Sequence, residues 1–137
     1  MSGRVDARAF FDTNVALYLL SADTRKAALA EDLMALGGTI SVQVLNEFAA
    51  VVRRKHTTPW PAIQIMLTAL KQVCRVDALT LTVHERAVAL AQRLDIPIYD
   101  ATIAASALQA GCSVLYSEDF QHGQVIDGMT IQNPFAP

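Results

Sequence analysis

A three-layer α/β/α sandwich around a central, mainly parallel sheet is the fold class this sequence predicts, as a single domain over residues 1–137. Three observations lead there. Short apolar runs alternate with longer amphipathic segments from end to end. The short runs are apolar throughout rather than alternating, which marks strands buried on both faces. The chain has 137 residues, the length of one domain, and a domain of that size buries roughly two thirds of its unfolded surface. Neither an internal repeat nor a linker divides it.

RAFFD (8–12) is too short for a helix and rich in aromatics, so it reads as the first strand. TNVALYLLSA begins a helix. Asp23 or Thr24 caps the next one, TRKAALAEDLMAL, which Gly37 and Gly38 stop. TISV (39–42) reads as strand two, and VLNEFAAVVRRKH follows as a helix with Val44, Leu45, Phe48, Val51 and Val52 on one stripe. Pro59 and Pro61 stand where a helix tolerates a missing amide and open AIQIMLTALKQV. CRVDAL (74–79) is a third strand, and TVHERAVALAQRLD an amphipathic helix broken by Pro97. YDATIAASALQAG (99–111) is a helix of small residues, expected to be buried on more than one side and closed by Gly111. SVLYS (113–117) is a strand, SEDFQHG a polar loop, and MTIQNPF a last short strand.

Composition narrows the function classes. Hydrophobic residues make up 53% of the chain, yet no run approaches the ~20 apolar residues of a membrane helix. So much apolar content on a small domain predicts surface left over for a partner, a dimer mate first of all. The opening MSGRVDARAFF has no apolar stretch followed by a small-residue cleavage site, so a cytoplasmic protein is expected. Cys74 and Cys112, 38 positions apart and outside any CxxC spacing, read as inert reduced core thiols. A net charge of −2 argues against coating nucleic acid by bulk charge.

The acids say more. In open parallel sheets, functional groups gather at the carboxyl ends of the strands. Asp12 ends strand one, Glu47 lies in the first turns of the helix after strand two, Asp100 starts the small-residue helix, and Asp119 follows strand four. Taken singly, Asp12 and Asp100 are good helix caps, worth about 1 kcal/mol each, Glu47 a solvated helix acid and Asp119 a loop residue. Those readings leave unexplained why all four, separated by 35, 53 and 19 positions, fall at one edge of the sheet.

If they converge, each like-charged pair about 5 Å apart repels by about 3 kcal/mol at an effective dielectric near 20. Such a cluster must take up protons or hold cations. Oxygen donors without Cys or His select hard ions, which points to Mg²⁺ or Mn²⁺ and to metal-assisted phosphodiester hydrolysis. The net charge of −2 becomes +2 once these four negative charges are set aside. Arg53, Arg54, Lys55 and His56, at the end of the helix carrying Glu47, either guide a phosphate backbone to the site or form a solvated basic helix end favoured by the macrodipole.

FFDTNV, the NEF of VLNEFAAVV, YDATIAASAL and LYSEDFQHG, in this order and at these intervals, resemble the PIN domain, and most of all the VapC-like ribonuclease toxins of bacterial toxin-antitoxin pairs. The resemblance runs over essentially the whole chain, through GMTIQNPF. DTN alone is common; four motifs in register are specific. The resemblance implies that Asp12, Glu47, Asp100 and Asp119 are catalytic, metal-binding acids and that Thr13 and Ser117 are supporting hydroxyls. It also implies magnesium-dependent cleavage of an RNA such as a tRNA or mRNA, a homodimer, and inhibition by a cognate antitoxin protein. Some relatives carry a further acid just after the position of Asp119; here Phe120, Gln121 and His122 follow, which leaves Glu118 as the candidate fifth carboxylate.

Other residues invite roles. His84 and His122 offer imidazoles, Trp60 can stack on a base or anchor a helix pair, and Tyr99 reads as packing. Rival functions have sequence marks of their own. A silent binding module on the same fold would lack an acid, and none is missing. A phospho-accepting receiver domain wants adjacent acids after strand one and a lysine after the last strand, whereas Thr13 and Asn14 follow Asp12 and no lysine occurs beyond Lys71. A haloacid-dehalogenase-like phosphatase wants an Asp where Asn14 stands.

Overall fold

The computed structural model describes residues 8–136; the opening residues 1–7, on which part of the signal-sequence reading rests, and residue 137 lie outside the described residues. Six short strands form one sheet: β1 (Ala9–Phe11), β2 (Thr39–Ser41), β3 (Arg75–Asp77), β4 (Val114–Tyr116), β5 (Val125–Ile126) and β6 (Met129–Gln132). Their spatial order is β3-β2-β1-β4-β6-β5, parallel throughout except for the β5–β6 pair. Six helices connect them: α1 (Thr13–Tyr18), α2 (Thr24–Ala35), α3 (Val42–His56), α4 (Trp60–Val73), α5 (Leu81–Leu94) and α6 (Ile98–Gln109). Helices α1 to α4 pack on one another and α5 packs on α6, giving the expected three-layer α/β/α sandwich.

Why these residues form these layers follows from burial. Phe10, Phe11, Ile40, Leu115 and Ile131 are fully buried, so the central strands are covered on both faces as their unbroken apolar runs require. In α6 every residue from Ala101 to Ala107 is buried, the result expected of a small-residue helix that lets its neighbours approach on several sides. Cys74 and Cys112 are both buried and unpaired with each other, and burial pushes their thiols up to about 11, which keeps them protonated and unreactive.

Three boundaries differ from expectation. Helix α1 stops at Tyr18 because the Leu19 amide turns back to the Ala16 carbonyl, tightening the last turn instead of continuing through Ala22. Strand β2 stops at Ser41, which already occupies the N-cap of α3. A further strand lies between the expected polar loop and the last strand, in a stretch to which the sequence assigns no element: Val125 and Ile126 fold back on Thr130 and Met129 through Asp127 and Gly128. Both turn residues have positive φ, 49° and 86°, the mirror-image hairpin turn that an Asp-Gly pair favours.

The topology also explains where a site belongs. From β1 the chain steps outward to β2 and β3, then crosses back to β4 on the other side of β1. The order therefore reverses between β1 and β4, and a crevice opens outside the carboxyl ends of strands at such a switch point.

Candidate active site

Asp12 stands directly after β1 at that switch point. It is the N-cap of α1 and is 3% exposed. Its Oδ1 accepts from the Thr13 amide at 2.6 Å, and its Oδ2 accepts from the Ser117 hydroxyl at 2.7 Å across the β1–β4 junction. The Ser117 Oγ in turn accepts from the Asp119 amide at 3.0 Å. One buried serine therefore couples the positions of two acids that lie 107 residues apart.

The other acids arrive on separate elements. Glu47 is on α3, and its Oε1 accepts from the Thr13 hydroxyl at 2.7 Å. Asp119, in the loop after β4, accepts at Oδ2 from the Asn14 side-chain amide at 3.0 Å. Asp100 is in the first turn of α6, where Pro97 takes the N-cap; its expected capping role is thus replaced by a place inside the helix, facing the site. All four carboxylates line one cleft of about 370 Å³ together with Thr13, Asn14, Leu17, Val51, Arg54 and Tyr99.

The electrostatics follow from this crowding. The Asp12 carboxyl is raised from 3.8 to about 7, first by burial and then by the charges of Asp119 and Glu47, against the opposing hydrogen bonds from Ser117 and Thr13. Asp100 is also raised, by burial first and then by Asp119 and Glu47. The site is short of positive charge. Its donor set fits a hard divalent ion: oxygen throughout, with a surplus of negative charge. Among the described residues no three Asp, Glu, His or Cys groups form a ready-made metal cage.

The remaining candidates separate clearly. Both hydroxyls, Thr13 and Ser117, contact an acid. Glu118 does not line the cleft: the Tyr18 hydroxyl sits 3.1 and 2.9 Å from its two carboxylate oxygens and holds it aside. Of Arg53, Arg54 and Lys55, Arg54 lines the cleft, while Arg53 donates to the Thr58 carbonyl at 3.0 Å and lies 5.8 Å from the centre of the Trp60 ring. Trp60 is itself exposed and anchors nothing in the core. His84 is exposed on α5 outside the cleft, and His122 accepts from the Asn133 amide at 3.0 Å, tying its loop to the end of β6. Tyr99, expected to pack, is instead 68% exposed at the cleft. Asn14 was missed as a site residue. Its place beside Asp12 and Thr13 at the helix start was the available signal.

Comparison with known proteins agrees with this architecture. A toxin-antitoxin complex from Klebsiella pneumoniae superposes with a TM-score of 0.72 at 24% identity, over 93% of this chain and 98% of that one. VapC20 from Mycobacterium tuberculosis, described as a Sarcin-Ricin loop cleaving toxin, gives 0.66 at 24% identity, over 81% and 89%. VapBC2 from Rickettsia felis, bound to a DNA fragment from its promoter, gives 0.66 at 18% identity, over 90% and 96%. No curated protein matches the chain. The PIN domain family model matches residues 9–126, from the first strand through the fifth. With its motifs, sheet order and cleft in agreement, the chain belongs to the PIN domain family.

Proposed function

We propose that this protein is a metal-dependent endoribonuclease, the toxin component of a toxin-antitoxin pair, with Asp12, Glu47, Asp100 and Asp119 as its catalytic, metal-binding acids. The observation that best supports the reading is the convergence on one cleft of four carboxylates from four separate elements, with the buried Asp12 carboxyl raised to about 7. Bare, that arrangement is electrostatically costly, and a cation of charge two relieves it.

Each part of the chain has a defined task. Ser117 and the Thr13 amide fix the Asp12 carboxylate, the Thr13 hydroxyl orients Glu47, and the Asn14 amide orients Asp119. Arg54 adds positive charge on the cleft wall, where a phosphate backbone enters. When bound, Mg²⁺ or Mn²⁺ supplies Lewis-acid charge for in-line attack of water on a phosphodiester. Among the described residues no helix is long and apolar enough to cross a membrane, and a cytoplasmic place beside an RNA substrate belongs to the proposal. So does a homodimer, for which exposed Ile65 and Leu81 provide apolar surface. The toxin-antitoxin complex from Klebsiella pneumoniae among the structural neighbours supports a cognate antitoxin partner.

The experiment is cleavage of structured RNA by purified protein with Mg²⁺, with Mn²⁺ and with chelator, repeated for Asp12→Asn and Asp100→Asn. Cleavage that needs the ion and is lost in both variants is expected. Equal cleavage by the variants would defeat the assignment, and no cleavage by any of them would favour a PIN-fold binding module without turnover.

A further inference from the structure

The cleft wall carries two groups that the acid chemistry does not use. Tyr99 immediately precedes Asp100 in the first turn of α6, and 68% of its surface is open to solvent although it lines the cleft. Its backbone carbonyl accepts from the side-chain amide of the buried Gln43 at 3.3 Å, which ties the turn bearing the ring to α3. The helix start itself is open to solvent, with Ile98 also exposed and burial beginning at Ala101, so the tethered Tyr99 ring keeps a free face beside the acids. Arg54, on α3, lines the same cleft. Among the described residues it makes no ion pair, although four carboxylates share its cavity; the ion pairs found are Arg75–Asp77 and Arg93–Asp127, both elsewhere. A guanidinium that shares a cleft with acids without bridging to them keeps its donors for an incoming anion.

We propose that Tyr99 is a stacking platform for the nucleobase next to the scissile phosphodiester, and that Arg54 holds a neighbouring phosphate, so that together they set which nucleotide is placed over the acids. The inference rests on the nuclease reading of the same site. It adds a requirement that the acids alone do not impose: the base beside the cut must be unstacked from its neighbours to reach the ring. Stacking of one base on an aromatic side chain contributes about 1–3 kcal/mol, or about 5- to 150-fold in affinity. A phosphate contact contributes in a sequence-independent, salt-dependent way. The two residues are therefore separable by experiment.

The test measures binding of a short fluorescein-labelled oligoadenylate and of an equally long oligomer of abasic ribose phosphates, by anisotropy over a series of salt concentrations. Wild-type protein is expected to prefer the oligoadenylate by about tenfold. Tyr99→Ala should lose that preference while keeping affinity for the abasic oligomer, and Tyr99→Phe should retain it. Arg54→Gln should weaken both oligomers alike and reduce the salt slope by about one unit. A Tyr99→Ala variant that still discriminates as wild type does, a Tyr99→Phe variant that fails as alanine does, or wild type that binds both oligomers equally overturns the assignment. Cleavage of the oligoadenylate in Mg²⁺ is scored separately. Base discrimination with no cleavage of either the oligoadenylate or the structured RNA removes the nuclease reading and leaves Tyr99 as a base-stacking surface without a scissile bond beside it; cleavage without discrimination removes the stacking assignment alone.

Discussion

The Ser117 hydroxyl donates to Asp12 Oδ2 at 2.7 Å from the far side of the β1–β4 junction, and Ser117 Oγ itself accepts from the Asp119 amide. Because Ser117 is fully buried, no water replaces it freely when it is removed. Ser117→Ala leaves a buried carboxylate oxygen and a backbone amide short of a partner, at a cost of about 1–3 kcal/mol in stability. Outer groups that orient metal-binding side chains typically change affinity by about 10- to 100-fold. Calorimetric titration with Mn²⁺ should show a loss in that range, and an unchanged affinity would remove Ser117 from the site.

The raised Asp12 carboxyl makes a signed prediction about pH. Its folded value of about 7 lies above the ordinary 3.8, so between those limits the folded chain holds a proton that the unfolded chain has released. Stability from this group is complete below about pH 4 and is lost as pH rises through 7, a fall of at most about 4 kcal/mol. Asp100, raised for the same reasons, contributes with the same sign. In chelator, denaturant unfolding should therefore show stability declining from pH 5 to pH 8 as far as these acids control it. Asp12→Asn, which keeps a side-chain oxygen for the cap, should flatten the decline and raise the metal-free Tm at pH 8. Added Mn²⁺ should raise the wild-type Tm more at pH 8 than at pH 5; the opposite order would contradict a site relieved by cations.

Much of this arrangement is legible in the sequence because strand ends and helix starts are local events. Phe10 and Phe11 mark β1, and the acid after them must fall at the carboxyl edge whatever surrounds it. Asp119 and Glu47 were readable in the same way once a parallel sheet was inferred. What was not legible depends on contacts between distant segments. The shift of Asp100 from cap to helix interior is decided by Pro97, which takes the N-cap position and whose carbonyl accepts from the Ala101 amide. The withdrawal of Glu118 depends on Tyr18, 100 positions away. The missed β5 strand is different in kind, since the Asp127-Gly128 pair between Val-Ile and Met-Thr was a local hairpin signal in plain view.

A close backbone approach beneath the site yields a stability prediction. Gly38, just before β2, has no room for a side chain: a Cβ there would lie 2.6 Å from Phe11 Cε2 and 2.9 Å from the Ala9 carbonyl oxygen. Phe11 cannot swing aside easily, because it is fully buried and stacked on Tyr116 with ring centres 5.9 Å apart. Gly38→Ala should cost about 1–3 kcal/mol through forced displacement of β1. Since Asp12 follows Phe11 directly, Mn²⁺ affinity should fall together with the urea midpoint. A variant as stable as wild type would show that the strand ends yield more readily than this packing implies.

Asn14 offers the sharpest change in charge. Its amide donates to Asp119 Oδ2 at 3.0 Å, a favourable dipole on a carboxylate that already shares a cleft with three others. Asn14→Asp replaces that donor with a fifth negative charge at nearly constant volume. Without metal, the two adjacent carboxylates repel across a partly solvated gap, and the Tm in chelator should drop. With Mn²⁺ the added oxygen becomes a further donor for cations, so the ion should recover more of the lost Tm than it adds to wild type. Paired melting curves with and without Mn²⁺ measure that difference directly. If the variant melts at the wild-type temperature in chelator, Asn14 does not hold Asp119 in solution; if the drop persists undiminished in saturating Mn²⁺, the acids of this cleft do not act on a common ion.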